Sequence, residues 1–189
     1  PFIVDCAQGA GTLPVSLKKW GADFIAMPGH KGLLGPMGTG LLLCGQMPKP
    51  LLYGGTGSIS KSYDMPDFLP DAGEAGTVNV PGIAGLCAGI TQVLGEGPEK
   101  ILKKEQQEMR RCVKRLEKFG FSVFSGDDQC GTVSFVPDCG CEELAGFLGQ
   151  RNICVRAGLH CAPLAHESAG TLASGTVRNS FGHDAAAWK

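Results

Sequence analysis

An aspartate and a lysine carry the first chemical signal. Asp5 ends the short apolar run Phe2-Ile3-Val4, and Lys31 follows one helix and one strand later in the glycine-rich turn Gly29-His30-Lys31. A lysine amine in such a turn can condense with an aldehyde. A carboxylate at a strand end can keep a pyridine nitrogen protonated, so that the ring takes up electrons. The pair is what pyridoxal phosphate (PLP) chemistry requires. A second signal lies far along the chain, where Cys161 follows Gly158-Leu159-His160. Cysteine attacks as a thiolate in an accessible, electropositive setting, and a glycine loop beside a histidine can supply one.

The elements that must position these residues alternate strand and helix. Residues 2–5 read as a buried strand feeding a loop with Gly9 and Gly11, where open α/β sheets place ligands. Residues 14–20 read as a short helix opened by Pro14 and closed by Gly21. Residues 23–27 form the strand that delivers Lys31, and residues 41–44 form another. Apolar, non-alternating strands joined through a helix imply a sheet covered on both faces. Residues 45–78 carry many glycines and prolines and little periodicity, the mark of a functional loop or an oligomer interface.

Asn79 and Pro81 then open a helix with the apolar series Ile83, Leu86, Cys87, Ile90 and Leu94. A second helix, 98–119, turns Leu102, Met109, Cys112, Val113 and Leu116 inward. Its Lys103, Lys104, Glu105, Arg110 and Arg111 face outward, and Gly120 stops it. Strands at 121–124, 132–136, 153–156 and 176–181, with a helix at 142–150, make a small α+β unit. The division falls at 1–97 and 98–189.

Composition narrows the function classes. The formal net charge is −1 and no basic run exceeds Arg110-Arg111, which speaks against a nucleic-acid groove or a membrane-surface patch. No apolar stretch approaches the roughly 20 residues of a membrane span, and a signal-peptide pattern is lacking. The nine cysteines are odd in number and scattered. They read as free thiols in a reducing cytoplasm, with Cys87 and Cys112 as buried members of helix stripes. Gly35-Pro36-Met37-Gly38-Thr39-Gly40 lacks a following Gly-Lys-Ser/Thr and enters a strand, so it is no Walker A loop. The start at Pro1 suggests a fragment of a longer protein.

From Val4-Asp5-Cys6-Ala7-Gln8 to Gly175-Thr176-Val177-Arg178-Asn179-Ser180, the motifs resemble the fold-type I PLP enzymes of the class V aminotransferase and cysteine desulfurase family. The resemblance implies an α/β fold: the C-terminal part of the large PLP-binding domain, with a mostly parallel sheet between helices, followed by a small α+β domain. It assigns Asp5 to the pyridine nitrogen, Gln8 to the ring 3′-oxygen, His30 to the phosphate and Lys31 to the covalent bond with the cofactor. Tyr53-Gly54-Gly55-Thr56-Gly57 resembles the loop that reaches the phosphate of a neighbouring subunit, which makes Thr56 a candidate and a homodimer the expected state. Glu74-Ala75-Gly76-Thr77-Val78-Asn79 resembles the family's Glu-x-Gly-Thr-x-Asn signature. Local alternatives stay open: a strand-end cap for Asp5, a ligand-free loop for His30, a plain turn for Thr56 and a helix cap for Asn79.

Arg156-Ala157-Gly158-Leu159-His160-Cys161-Ala162-Pro163 looks like the catalytic loop of cysteine desulfurases, in which the cysteine takes sulfur from substrate L-cysteine and releases alanine. The same resemblance implies that Arg178 binds the substrate carboxylate, a task its planar fork fits, and Arg156 is read as structural. A sulfur-acceptor protein is a further partner the resemblance allows. Aminotransferase, selenocysteine lyase and β-lyase reactions use the same lysine and arginine, and an inactive remnant keeps only the fold. A plain structural cysteine, like the other eight, stays open for Cys161, and so does zinc held by Cys139, Cys141, His160 and Cys161, though Cys-x-Cys is an unusual pair spacing. Two departures stand out. Pro28 replaces the family's Ser or Thr, and Gly182-His183-Asp184 stands where an aromatic-Asn-Thr run and a final helix are usual. The resemblance leaves out the first half of the large domain, so weak or no cofactor binding is expected of this chain alone.

Overall fold

A computed structural model describes residues 1–183. Asp184 of the departing segment and the residues after it lie outside that range. The chain divides into a first compact unit, Pro1–Glu99, and a second that begins at Lys100.

The first unit is built on a three-stranded sheet in the order β1 (Ile3–Asp5), β2 (Phe24–Pro28), β3 (Gly40–Cys44). β1 and β2 are parallel, with Val4 opposite Ile25, while β3 returns antiparallel with Leu43 opposite Ile25, so the sheet is mixed. Period-two alternation puts Val4, Ile25, Met27, Leu41 and Leu43 on one packed face, joined by Cys6, Leu33 and Leu86. The opposite face leaves Ile3 and Leu42 more than half exposed.

α1 (Leu17–Trp20) is shorter than the proline signal suggested. Ser16 is the better cap: its hydroxyl accepts from Lys19 N–H at 3.2 Å, and Gly21 closes the helix at φ 63°. Residues 45–78 hold no strand and only a single 3₁₀ turn at Asp71–Gly73.

α2 (Val80–Glu96) begins as expected, with Asn79 Oδ1 accepting from Gly82 N–H at 3.1 Å. Its buried face differs from the one read from hydropathy. Gly82, Leu86, Gly89 and Val93 are buried, whereas Ile83 and Leu94 are exposed. Cys87, expected inside, is also exposed. The contact is made by glycines that let backbone approach backbone, and glycine carries no hydropathy signal.

The second unit packs its two longer helices on one face of a four-stranded antiparallel sheet, ordered β4 (Ser122–Phe124), β5 (Thr132–Val136), β7 (Thr176–Ser180), β6 (Arg156–Gly158). Val133, Phe135, Val177 and Asn179 point to the covered face. Met109 and Cys112 of α3 (Pro98–Lys118) and Cys141 of α4 (Cys141–Gly149) pack there. Glu105, expected outward, is buried at 8% exposure with Gly131 N–H donating to it. Loss of water raises its pKa, because the charged form is the one penalised. β6 starts three residues later than the apolar run at 153–156. Asn152 N–H and Ile153 N–H bond back to the carbonyls of Gly149 and Leu148, so this stretch terminates α4 instead of pairing. α5 (Pro163–Ser168), with proline in its first turn, had no apolar periodicity to announce it. Among the described residues no helix is long and apolar enough to cross a membrane.

Candidate active site

The residues singled out above fall in both units. In the first unit Asp5 is the last residue of β1, opposite Ala26 of β2. Ala7 N–H donates to Asp5 Oδ1 at 2.9 Å, which orients the carboxylate at the strand end. This cap is compatible with a ligand contact, since an ionised carboxylate offers about four acceptor sites. Gln8 is exposed on the turn closed by Ala10 N–H to the Cys6 carbonyl at 2.9 Å.

His30 and Lys31 are both exposed on the loop leaving β2. Backbone bonds shape that loop: Gly29 N–H to the Thr39 carbonyl, Gly35 N–H to that of Gly29, both 2.8 Å, and Leu34 N–H to that of Lys31, 3.0 Å. The loop after Asp5 and the loop of Lys31 meet at two glycines. A Cβ on Gly11, whose φ is 93°, would overlap the Gly32 carbonyl, and one on Gly32 would overlap that of Ala10. Only glycine permits this approach, and it seats the segment after Asp5 against the residue after Lys31. α2 backs the same loop, with Leu86 against Gly29 and Gly35 and with Gly89 against the Leu33 and Leu34 carbonyls.

Thr56 is half-buried in the 45–78 stretch. Gly76 N–H donates to the Gly54 carbonyl at 2.9 Å, so the Tyr53–Gly57 and Glu74–Asn79 segments come together. Thr56 lines a cavity of about 690 Å³ with Tyr53, Ser60, Tyr63, Asp67 and their neighbours. Asp5, Gln8, His30 and Lys31 do not line it.

In the second unit Arg156 of β6 lies directly opposite Arg178 of β7. Cross-strand partners share a face, here the one turned away from Val177 and Asn179. Two guanidinium groups opposed on one face repel unless an anion lies near them. Arg178 Nε is buried with no hydrogen-bond partner among the described groups. Arg156 Nη2 donates to Cys161 Sγ at 3.3 Å.

Cys161 itself is exposed, in a loop with φ of 99° at Gly158, 53° at His160 and 61° at Cys161. His160 Nε2 lies 2.9 Å from Thr176 Oγ1. Burial lowers the His160 pKa first, and the neighbouring Arg178, His166 and Arg156 lower it further. A neutral imidazole therefore stands among the arginines rather than a third cation. Among the described residues no three His, Cys, Asp or Glu side chains gather into a metal site. Cys141 Sγ turns instead to the Ser174 carbonyl at 3.2 Å.

The model of the class V aminotransferases ("Aminotransferase class-V") matches residues 1–187. The chain belongs to the class V aminotransferase family. Similar family members include a probable cysteine desulfurase of Pyrococcus abyssi, 36% identical over 192 residues, which cover 95% of this chain and 47% of that protein. One of Methanothermobacter thermautotrophicus is 38% identical, covering 90% of this chain and 47% of its own length. Among solved structures, the apo cysteine desulfurase of Thermococcus onnurineus superposes with a TM-score of 0.84 at 35% identity, covering 96% of this chain and 47% of that one. The class V chain thus spans about half the length of the relatives it matches.

Within this class V chain, the sequence reading missed Arg156 as a partner of the candidate nucleophile. Its signal was a hairpin geometry: a strand residue opposite Arg178, five positions before a cysteine on the loop that leaves the strand. His166 and Thr176, both buried and both tied to the same loop, carried no such signal.

Proposed function

We propose that this chain carries the reactive lysine, the sulfur-accepting cysteine and the substrate-binding arginine of a PLP-dependent cysteine desulfurase. The observation that carries the reading is the Arg156 guanidinium donating to Cys161 Sγ at 3.3 Å on an exposed loop. A transaminase needs no such thiol, whereas attack on sulfur needs one with a cationic partner for its negative charge.

The residues of the first unit fit the cofactor. Asp5 is an oriented carboxylate at a strand end, Lys31 is an exposed amine, and the Gly11 and Gly32 backbones are close enough to exclude side chains between them. Asp5, Gln8, His30 and Lys31 would hold PLP, with Thr56 from a second subunit at its phosphate. Pro28 has neither hydroxyl nor N–H to offer, so phosphate binding leans on His30, backbone amides and that second subunit. When bound, PLP supplies an electron-withdrawing ring for the bond changes at the substrate Cα.

The chain's own groups do the rest. Arg178 grips the carboxylate of L-cysteine with its fork. Lys31 Nζ holds and moves the proton at Cα. Cys161 Sγ bonds to the substrate sulfur as the carbon–sulfur bond breaks, and the protein is left with a persulfide while alanine departs. Atoms balance: L-cysteine plus a thiol gives alanine plus a persulfide. The terminal sulfur then awaits an acceptor, a protein or small thiol. A homodimer in the cytoplasm, where nine thiols stay reduced, is the setting this chemistry asks for.

In a full-length protein containing this chain, with cofactor bound, Cys161→Ala should reduce alanine formation from L-cysteine by more than about a hundredfold while leaving the visible absorbance of the cofactor intact. Undiminished sulfur release by that variant would sink the reading. Lys31→Ala should remove both activity and absorbance.

A further inference from the structure

Cys161 sits in a turn that its own residue types do not favour. Ala162 N–H donates to the Leu159 carbonyl at 2.9 Å, closing a four-residue turn with His160 and Cys161 at its centre. Their φ values, 53° and 61°, have the signs of a type I′ turn, which normally takes Asn-Gly or Gly-Gly. His-Cys brings two Cβ atoms into left-handed backbone, so the conformation persists only where surrounding contacts fix it.

Those contacts form a chain of four side chains. His166 Nδ1 lies 2.8 Å from Thr171 Oγ1, with both residues buried. The His166 ring stands 5.6 Å from the His160 ring, centroid to centroid, at 43° between planes. His160 Nε2 reaches Thr176 Oγ1, and Thr176 is only 2% exposed. Both ends are anchored: Thr171 N–H bonds the His166 carbonyl at 2.8 Å, and Thr176 pairs with Gly158 across β6 and β7. The desulfurase reading uses none of His166, Thr171 or Thr176. Burying their polar groups is nonetheless costly unless each bond is made.

We propose that Thr171, His166, His160 and Thr176 form a brace that holds Cys161 in its left-handed turn, with Thr176 and His166 as positioning residues for the sulfur-accepting thiol. The brace fixes the residue before Cys161, while Arg156 donates to the sulfur itself. When the brace is cut, His160 relaxes out of positive φ, the turn opens, and Sγ leaves the guanidinium. This role rests on the reading of Cys161 as the residue that receives sulfur.

The test follows placement of the thiol directly and needs no cofactor. In the full chain, iodoacetamide labelling of Cys161 is timed by peptide mass spectrometry, with exposed Cys87 as the internal reference. Thr176→Val, similar in shape but without the hydroxyl, should slow Cys161 labelling about tenfold at an unchanged Cys87 rate. Thr176→Ser keeps the hydroxyl and should restore the rate to within about twofold. His166→Asn retains an acceptor for Thr171 but removes the ring facing His160. It should slow labelling in the same direction, and it covers the case in which Thr176→Val fails to fold. Labelling that is unchanged or faster in both Thr176→Val and His166→Asn, or slowed as much by Thr176→Ser, overturns the brace. Sulfur release by Cys161→Ala addresses the other reading separately, because it can fail while the labelling pattern stands.

Discussion

His160 shows how one residue couples position to protonation. Burial, then Arg178, His166 and Arg156, hold its pKa below the ordinary histidine value of 6.5. The unfolded chain therefore takes up a proton as pH falls through 6.5, while the folded chain refuses it until lower pH. The unfolded state binds more protons at this site in that window, so the contribution of His160 to stability is full at neutral pH and declines below it. Denaturant midpoints measured between about pH 7 and pH 5 should fall more steeply on acidification in the native chain than in His160→Gln. An unchanged slope would remove His160 from the account. The sign also suits the proposed chemistry. A neutral ring leaves Arg156 and Arg178 as the cations offered to a thiolate and a carboxylate. The two arginines were not equally legible in the sequence. Arg178 sits in a recognisable strand motif, whereas the partnership of Arg156 with Cys161 depends on register and on a turn with two positive φ values. Neither is encoded by composition or period.

At the scale of elements, α2 illustrates why helix faces are misread. Hydropathy selects Ile83, Leu86, Cys87, Ile90 and Leu94, but the buried series is Gly82, Leu86, Gly89 and Val93. Close backbone approach selects glycine, which a hydrophobic period cannot register. The consequence is an opposite response at two glycines of the same helix. A Cβ on Gly89 would run into the Leu33 and Leu34 carbonyls, which no rotamer change relieves, whereas a Cβ on Gly95 meets nothing within 4 Å. Helix propensity favours alanine over glycine by about 1 kcal/mol, and overpacking costs about 1–3 kcal/mol. Gly95→Ala should therefore stabilise by up to about 1 kcal/mol, and Gly89→Ala, its overpacking partly offset by propensity, should destabilise by up to about 2 kcal/mol in urea unfolding. Equal shifts of the same sign would show that α2 does not brace the Lys31 loop. The sequence was more legible where one signal dominates. β5 lies at 132–136 as read from the sequence, and Asn79 caps α2. It failed where two signals compete, as at 153–156, where an apolar run gave way to the turn that ends α4.

For the whole molecule, the surface that matters most is the stretch between β3 and α2. It has no strand and a single 3₁₀ turn, yet it carries large apolar side chains in full contact with water: Leu51 at 95% exposure, Leu52 at 74%, Tyr53 at 72% and Tyr63 completely exposed. Contiguous apolar exposure of this kind marks an interaction site rather than a solvated loop. Charge does not explain the stretch, since the chain carries a formal net charge of only −1. Under the proposed function the partner would be a second copy, because the same stretch holds Thr56 and the Tyr53–Gly57 turn, which would serve the phosphate of a neighbouring subunit. Each leucine buried between copies contributes about 1.5–3 kcal/mol, so removing two should weaken association by at least about a hundredfold. Sedimentation velocity over a dilution series should show a dimer for the native chain and a monomer for Leu51→Lys with Leu52→Lys at the same micromolar concentrations. A native chain that is monomeric there would refute the assignment. Should cofactor be retained by the dimer and lost from the double variant, the loop would join the oligomeric state to the site at Lys31.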